Sequence, residues 1–225
     1  ETKKKPMIYF KHLMLFILSS MLCLSSLSAQ SDKNSEVGIK GGINFSNFYS
    51  DQIDDQNLRT GFQAGLFFKS GLTDFLAIQP ELLFSQKGST VGYDNILTGD
   101  AEFSINLNYL EIPVLGVINL TDNFNVHGGP YFAYLVSANA ENQAENDDLN
   151  FVESLEADDF NRFDYGLSVG VGFEFNKLRF GARYNYGLAE VGQEQDFSLD
   201  GDEILSDELS DLKNSNLSIY LGISF

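Results

Sequence analysis

The sequence predicts an all-β protein: a single eight-stranded antiparallel up-and-down transmembrane β-barrel, preceded by a cleavable helical signal peptide. Three observations predict it. Bulky apolar residues alternate with small or polar residues in eight segments. The connections between these segments are alternately short and long. The chain also contains 20 Phe, 10 Tyr, 20 Gly and no Trp, a composition that suits half-buried strands and tight turns.

The N-terminal region has the three parts of a secretory signal peptide. Lys3–Lys5 are basic, and Leu13–Leu24 form an apolar run that is too short to span a bilayer as a helix. Ala29 supplies a small residue before a cleavage site at Gln30. The only cysteine, Cys23, lies inside this peptide, so the mature chain is expected to form no disulfide. The predicted divisions are a signal peptide at 1–29, a short periplasmic segment at 30–36 and an outer-membrane barrel domain at 37–225.

Two-residue alternation is clearest from Phe163 to Phe175. At about 3.3 Å per residue, this segment is long enough to cross a bilayer with tilt. The other seven predicted strands are Val37–Asn47, Phe62–Lys69, Leu76–Ser85, Tyr109–Ile118, Phe124–Ala138, Leu178–Tyr186 and Leu217–Phe225.

The predicted connections differ in length at the two ends of the barrel. Short turns fall near residues 71–75, 120–123 and 176–177, and long connections are predicted at 48–59, 87–106, 139–162 and 189–214. Outer-membrane barrels have short periplasmic turns and long extracellular loops. We therefore expect both termini in the periplasm and four long loops outside the cell. These loops carry most of the 32 acidic residues of the chain.

The composition of the two strand faces predicts which one meets lipid. A soluble lipocalin-like barrel would point its bulky face inward around a ligand. Here the face opposite the bulky residues carries Gly, Ser and charged side chains, which fit the crowded lumen of a narrow membrane barrel. The bulky face is therefore expected to contact acyl chains.

Four segments resemble the PorT-like outer-membrane β-barrel family of Gram-negative bacteria. They are Gly38–Asn44 (GIKGGIN), Gln79–Gly88 (QPELLFSQKG), Tyr109–Val114 (YLEIPV) and Gly129–Tyr131 (GPY). The resemblance covers essentially the whole mature chain. It implies a small porin-family or OmpA-like barrel in the outer membrane and implies no particular activity, although one relative works in protein secretion.

Eight charged residues fall on the predicted lumen face. Four acids balance four bases, and buried charges must pair or lose their charge. We therefore predict an internal ion-pair network, with Glu81 and Glu111 near Arg183 and Lys40 at its middle. The alternative is a conduction path or gated pore, but eight strands enclose a space that their own side chains can fill. The predicted network comprises Lys40, Lys69, Glu81, Glu111, Asp164, Glu174, Arg179 and Arg183.

Three prolines fall inside predicted strands, where a missing N–H removes a ladder hydrogen bond. Pro80, Pro113 and Pro130 each lie five or six residues from the short-turn end of the third, fourth and fifth strands. We predict a band of broken or bulged pairing there.

Charge and motifs exclude several function classes. A net charge of -18 argues against nucleic acid as a partner. The mature chain has one histidine, His127, and no phosphate loop, metal spacing or nucleophile elbow, so no enzyme is predicted. No cofactor is expected, except that Asp200, Asp202 and Glu203 could bind Ca²⁺ in an acidic loop. Their spacing matches no complete EF-hand loop, and a solvated acidic surface is the alternative.

The function predicted from sequence is a structural or binding role in the cell envelope through the acidic loops. A small porin-like channel and an accessory subunit of a secretion or uptake complex are the alternatives. The expected partners are outer-membrane lipid and lipopolysaccharide, together with an unidentified protein; the barrel itself is expected to be a monomer. Phe225 ends the last strand and resembles the terminal aromatic signal that the barrel-assembly machinery recognises.

Overall fold

The computed structural model describes residues 35–49, 58–95, 99–144, 151–155, 160–192 and 212–225. Nine antiparallel strands lie in these ranges. They are β1 (Ser35–Tyr49), β2 (Arg59–Gly71), β3 (Leu76–Asn95), β4 (Gly99–Asn119), β5 (Phe124–Ala144), β6 (Phe151–Leu155), β7 (Phe163–Phe175), β8 (Leu178–Glu190) and β9 (Lys213–Ser224). The predicted signal peptide lies outside the described residues.

Eight of these strands close into a barrel. Strand β1 pairs with both β2 and β9, so the first and last strands meet and leave no free edge along the wall. The circuit continues through β3, β4, β5, β7 and β8. The short strand β6 pairs only with the far end of β5, at Ala138–Asn142, and lies outside the circuit. The predicted closed, eight-stranded, antiparallel barrel is confirmed.

The two faces of the wall differ as the alternation predicted. Along β7 the outward residues are apolar, and Val169 is 62 % exposed. Inward residues of opposite parity are buried: Asp164 is 4 % exposed and Ser168 is 3 % exposed. The same holds on β8, where Phe180 points outward and Arg183 points inward. No helix in the described part of the chain is long and apolar enough to cross a bilayer.

Two predicted long connections are largely strand. Strands β3 and β4 run 20 and 21 residues and pair as far as Asn95 with Gly99, so the prediction of a loop over 87–106 is wrong. Likewise β5 continues to Ala144, and β6 occupies part of the predicted 139–162 connection. These extensions carry more polar residues than the barrel wall, and their apolar alternation is correspondingly weak.

The proline prediction is confirmed, as broken rather than bulged pairing. The β2–β3 ladder skips the positions around Pro80, the β3–β4 ladder skips Pro113, and the β4–β5 ladder skips Pro130. The register is the same on both sides of each gap, so no residue is inserted. Register shifts occur elsewhere, in the β4–β5 ladder between Asn108 and Tyr109 and in the β8–β9 ladder between Tyr186 and Glu190.

Two kinds of local interaction form the short turns: a threonine hydrogen bond to the backbone and a left-handed asparagine. In the β2–β3 turn the hydroxyl of Thr73 accepts the backbone N–H of Leu76 at 2.9 Å, and in the β4–β5 turn Thr121 accepts that of Phe124 at 3.0 Å. The β7–β8 turn instead places Asn176 at φ 52°, a left-handed conformation that asparagine tolerates better than most residues. All three turns are therefore locally encoded.

Candidate functional site

The middle of the lumen is occupied by an ion-paired triad formed by Lys40, Glu81 and Arg183. Arg183 of β8 donates from Nη1 and Nη2 to the two carboxylate oxygens of Glu81 on β3, both at 2.8 Å. Lys40 of β1 lies 3.1 Å from the same carboxylate. Gln79 donates a further hydrogen bond to Glu81 at 2.7 Å. Glu81 is fully buried, so these donors replace the water that its charge would otherwise require.

Two neutral residues complete this triad. The ring of Tyr220 lies 3.7 Å from the Lys40 ammonium, close enough for a cation–π contact. His127 accepts at Nε2 from Nε of Arg183 at 3.4 Å and bonds Asn125 through its other ring nitrogen. His127 therefore links Arg183 to Asn125 inside the lumen.

Towards the long-connection end, Lys87 joins two carboxylates. Its ammonium lies 2.7 Å from Glu111 and 3.4 Å from Asp164. The ring of Tyr131 lies 4.5 Å from the same ammonium, and its hydroxyl donates to Asp164 at 3.3 Å. Asn185 donates to Glu111 at 3.2 Å. This outer triad, Lys87 with Glu111 and Asp164, holds one more negative charge than positive, whereas the middle triad holds one more positive than negative.

Near the short turns, Glu174 forms a third group of contacts. Lys69 lies 2.6 Å from its carboxylate, and Arg179 lies 3.4 Å away. Arg179 also pairs with Glu36, and Asn125 donates to Glu174 at 2.8 Å. These groups are partly exposed, which is consistent with a mouth of the barrel. A cavity of about 20 Å³ lies just inside, lined in part by Gln79, Asn125 and His127.

At the other mouth, apolar side chains pack together inside the barrel. A buried cluster contains Leu107, Tyr109, Tyr131, Ala133, Leu135, Ala138, Phe160 and Val191. Phe160 and Val191 come from the chain between strands rather than from the wall. They are tied together by a bridge between Phe160 and Gly192 and by the bond from the Asn161 N–H to the Val191 carbonyl at 2.9 Å. We call this group the apolar cap.

The structure places all eight sequence-predicted lumen residues inside the barrel, but not all with the predicted neighbours. Glu81, Arg183 and Lys40 lie together, whereas Glu111 pairs with Lys87 and not with Arg183. Sequence reasoning missed Lys87 because it assigned that residue to a loop. The signal was available, since Lys87 has the same strand parity as Glu81. It also missed Glu36, which stands four residues before Lys40.

Other predicted sites lie at the margins of the structure or beyond it. Asp200, Asp202 and Glu203 lie outside the described residues. Phe225 is 68 % exposed, and its N–H donates to the carbonyl of Val37 at 2.8 Å, which fastens the chain end to β1. Among the residues that the structure describes, no group of three or more His, Cys, Asp or Glu side chains could hold a metal ion.

An apolar outer wall around a lumen of paired charges defines a transmembrane β-barrel of the outer-membrane kind. Residues 28–192 match the model of the outer membrane protein β-barrel domain family. The chain belongs to this family, which is found in the outer membrane of Gram-negative bacteria. No curated protein sequence matches the chain.

Several solved barrels have a similar chain path. Ail, the attachment invasion locus protein of Yersinia pestis, is 17 % identical, with 85 % of this chain and 99 % of Ail covered and a TM-score of 0.44. Neisserial surface protein A is 11 % identical over 85 % and 99 %, with a TM-score of 0.47. OprG from Pseudomonas aeruginosa is 14 % identical over 87 % and 98 %, with a TM-score of 0.37. These identities are too low to transfer a function.

Proposed function

We propose that the protein is a non-enzymatic, non-conducting outer-membrane barrel that serves a structural or binding role through the connections at its long-connection end. One observation carries the proposal: buried side chains occupy the lumen at two levels along its length. The middle triad fills it with the buried side chains of Lys40, Glu81 and Arg183, and the apolar cap closes the mouth beyond them. A continuous water-filled path, as a porin requires, would have to pass both.

The positions of the short turns and of the long connections suggest how the barrel is oriented in the membrane. Ser35, Phe225 and the three short turns lie at one end of the barrel, which we assign to the periplasm, and the acidic connections would then face outward. Lipopolysaccharide is the partner that fits this surface, with divalent ions bridging its phosphates to carboxylates such as Asp200, Asp202 and Glu203. The four segments with PorT-like sequence support a place among PorT-like barrels, and Phe225 would serve as the assembly signal of a monomer.

Single-channel recording in planar bilayers tests the sealed lumen. The purified protein is expected to give no steady conductance over a range of voltages. The double variant Glu81→Ala/Arg183→Ala, which removes two of the three charged side chains of the middle triad, should also give no steady conductance because the apolar cap remains. Steady conductance of the unmodified protein would refute the proposal and favour a porin-like channel.

Ligand binding tests the outer surface separately. Vesicles containing lipopolysaccharide should bind the purified protein more strongly with Ca²⁺ than without it. Asp200→Asn/Asp202→Asn/Glu203→Gln should reduce that difference, whereas Glu190→Gln, which changes a single acid at the end of β8, should not. If Ca²⁺ has no effect on the unmodified protein, the ion-bridging role is wrong. Co-purification of a stable protein partner from solubilised membranes would favour the accessory-subunit alternative.

A further inference from the structure

Levels on different strands of the wall can be compared by following registered pairs around the barrel. A circuit that starts at Phe124 of β5 returns to β5 at Tyr134, so one turn climbs ten residues (134 minus 124). Each step to the next of the eight strands therefore raises the level by slightly more than one residue. The circuit passes through Phe124, Phe173, Phe180, Leu221, Gly41, Ala64, Phe84, Leu110 and Tyr134.

The lower edge of the apolar outer wall is level. Counted along each strand from this circuit, the outward apolar residues nearest the short turns lie within about one residue of the level of Phe124. They include Leu76 of β3, Phe175 of β7 and Phe225 at the chain end. Any difference in the height of the wall therefore arises at its outer edge.

The outer edge is not level. On β7 and β8 the outward residues remain apolar as far as Phe163 and Leu188, about 11 residues above Phe124. These two side chains are 64 % and 45 % exposed. Strands β2 and β3 lie directly opposite, four strands away around the circuit. At about ten residues above Phe124 their outward positions are already polar, and they are occupied by Thr60 and Gln86.

This difference is large compared with the thickness of a membrane. With strands tilted by about 40° and a rise of about 3.3 Å per residue, each residue adds about 2.5 Å along the barrel axis. The apolar wall is then about 25–30 Å tall on β7 and β8 but only about 15–20 Å tall on β2 and β3, whereas the apolar band of outer-membrane barrels is about 25 Å tall. A bilayer surface perpendicular to the axis would either leave Phe163 and Leu188 in water or bury Thr60 and Gln86 among acyl chains.

We propose that acyl chains of the outer leaflet cover Phe163 and Leu188, so that the bilayer surface is inclined to the barrel axis and reaches higher on β7 and β8 than on β2 and β3. The two residues continue the lipid-facing wall without a break, because the outward residues below Phe163 on β7 are all exposed and predominantly apolar. The hydroxyl of Tyr184, deeper on β8, bonds that of Ser215 at 2.7 Å and so has a partner away from water. Inclining the barrel is a common response to an apolar surface that does not match the bilayer, and its cost is modest.

Single tryptophan variants test the proposal directly, because the chain contains no Trp. Phe163→Trp and Leu188→Trp report on the tall face, and Thr60→Trp and Gln86→Trp report on the opposite face at about the same level. Each purified barrel is folded into phosphatidylcholine vesicles, and its fluorescence is compared with bromine on the acyl chains and with iodide on both sides of the membrane. Val169→Trp, in the middle of the wall, is the control that bromolipid should quench, and heat-modifiable migration on a gel confirms that every variant is folded.

The expected result is a difference between the two faces. Bromolipid should remove most of the fluorescence of Phe163→Trp and Leu188→Trp and little of that of Thr60→Trp and Gln86→Trp, whereas iodide should do the reverse. Equal quenching of all four variants by either reagent would show a bilayer surface perpendicular to the barrel axis and overturn the proposal. If neither reagent quenches Phe163→Trp and Leu188→Trp, a second copy of the chain covers them in place of lipid, and the proposal is wrong.

Discussion

In the middle triad, removing the acid should destabilise the barrel more than removing one of the two bases. Among the residues that the structure describes, Glu81 is the only acid in direct contact with Lys40 and Arg183, so Glu81→Gln leaves two buried cations without a counter-charge. Arg183→Met leaves Glu81 with Lys40 at 3.1 Å and the Gln79 amide at 2.7 Å. Breaking a buried pair typically costs about 3–5 kcal/mol. We expect Glu81→Gln near the upper end, about 5 kcal/mol, and Arg183→Met near the lower end, about 3 kcal/mol.

Both changes in the free energy of unfolding can be measured by reversible urea unfolding in phospholipid vesicles. The folded fraction is read from the heat-modifiable migration of the protein on a gel. The double variant Glu81→Gln/Arg183→Met supplies the internal control, because it removes one of the two cations that Glu81→Gln strands. It should therefore be more stable than Glu81→Gln alone, and the two single effects should not add.

Two results would refute this reasoning. If Arg183→Met costs as much as Glu81→Gln, Lys40 does not serve as a second counter-ion for Glu81. If the effects of the two substitutions add in the double variant, the residues are not energetically coupled, and the short distances between them carry no specific stabilisation.

Three further predictions concern other parts of the barrel. Lys87→Met leaves two buried acids without a counter-charge and should lower the free energy of unfolding in urea by about 3–5 kcal/mol. Asp164→Asn preserves the contact of Lys87 with Glu111 and should lower it clearly less; equal losses would contradict the pairing of Lys87 with both acids. Pro130→Val supplies a backbone N–H at a gap in the β4–β5 ladder and should stabilise the barrel by about 0.5–1.5 kcal/mol, and the introduced N–H should exchange slowly with solvent; unchanged stability would argue against a repairable gap. Asn176→Val places a β-branched residue at φ 52° and should destabilise by about 1–2 kcal/mol, whereas Asn176→Gly should be nearly neutral; similar effects of the two would exclude backbone strain as the cause.

The barrel wall was predictable because the bilayer imposes a strict rule on each strand. Every outward residue must be apolar, so Phe163–Phe175 alternates without interruption and the strand parity follows directly. The outer extensions of β3, β4 and β5 are free of that rule. Their polar residues, such as Asn106 and Asn108, resemble a loop, and their strand pairing could not be deduced from apolar periodicity.

The sequence predicts which charged residues face the lumen better than it predicts which of them contact each other. Parity alone shows that Glu81, Glu111 and Arg183 face the lumen. Which of them meet depends on how far each strand is shifted along its neighbour, and the register is not visible in any one strand.

The ion pairs between the early and the late strands have a consequence for how the barrel inserts into the membrane. Glu81 meets Arg183, Lys87 meets Asp164 and Lys69 meets Glu174, and each contact joins one of the first three strands to β7 or β8. A partly synthesised or partly inserted sheet would therefore hold unmatched ions against hydrocarbon. Half-barrels of this chain should have no stable membrane-embedded state, and insertion should couple closely to closure of the β1–β9 seam.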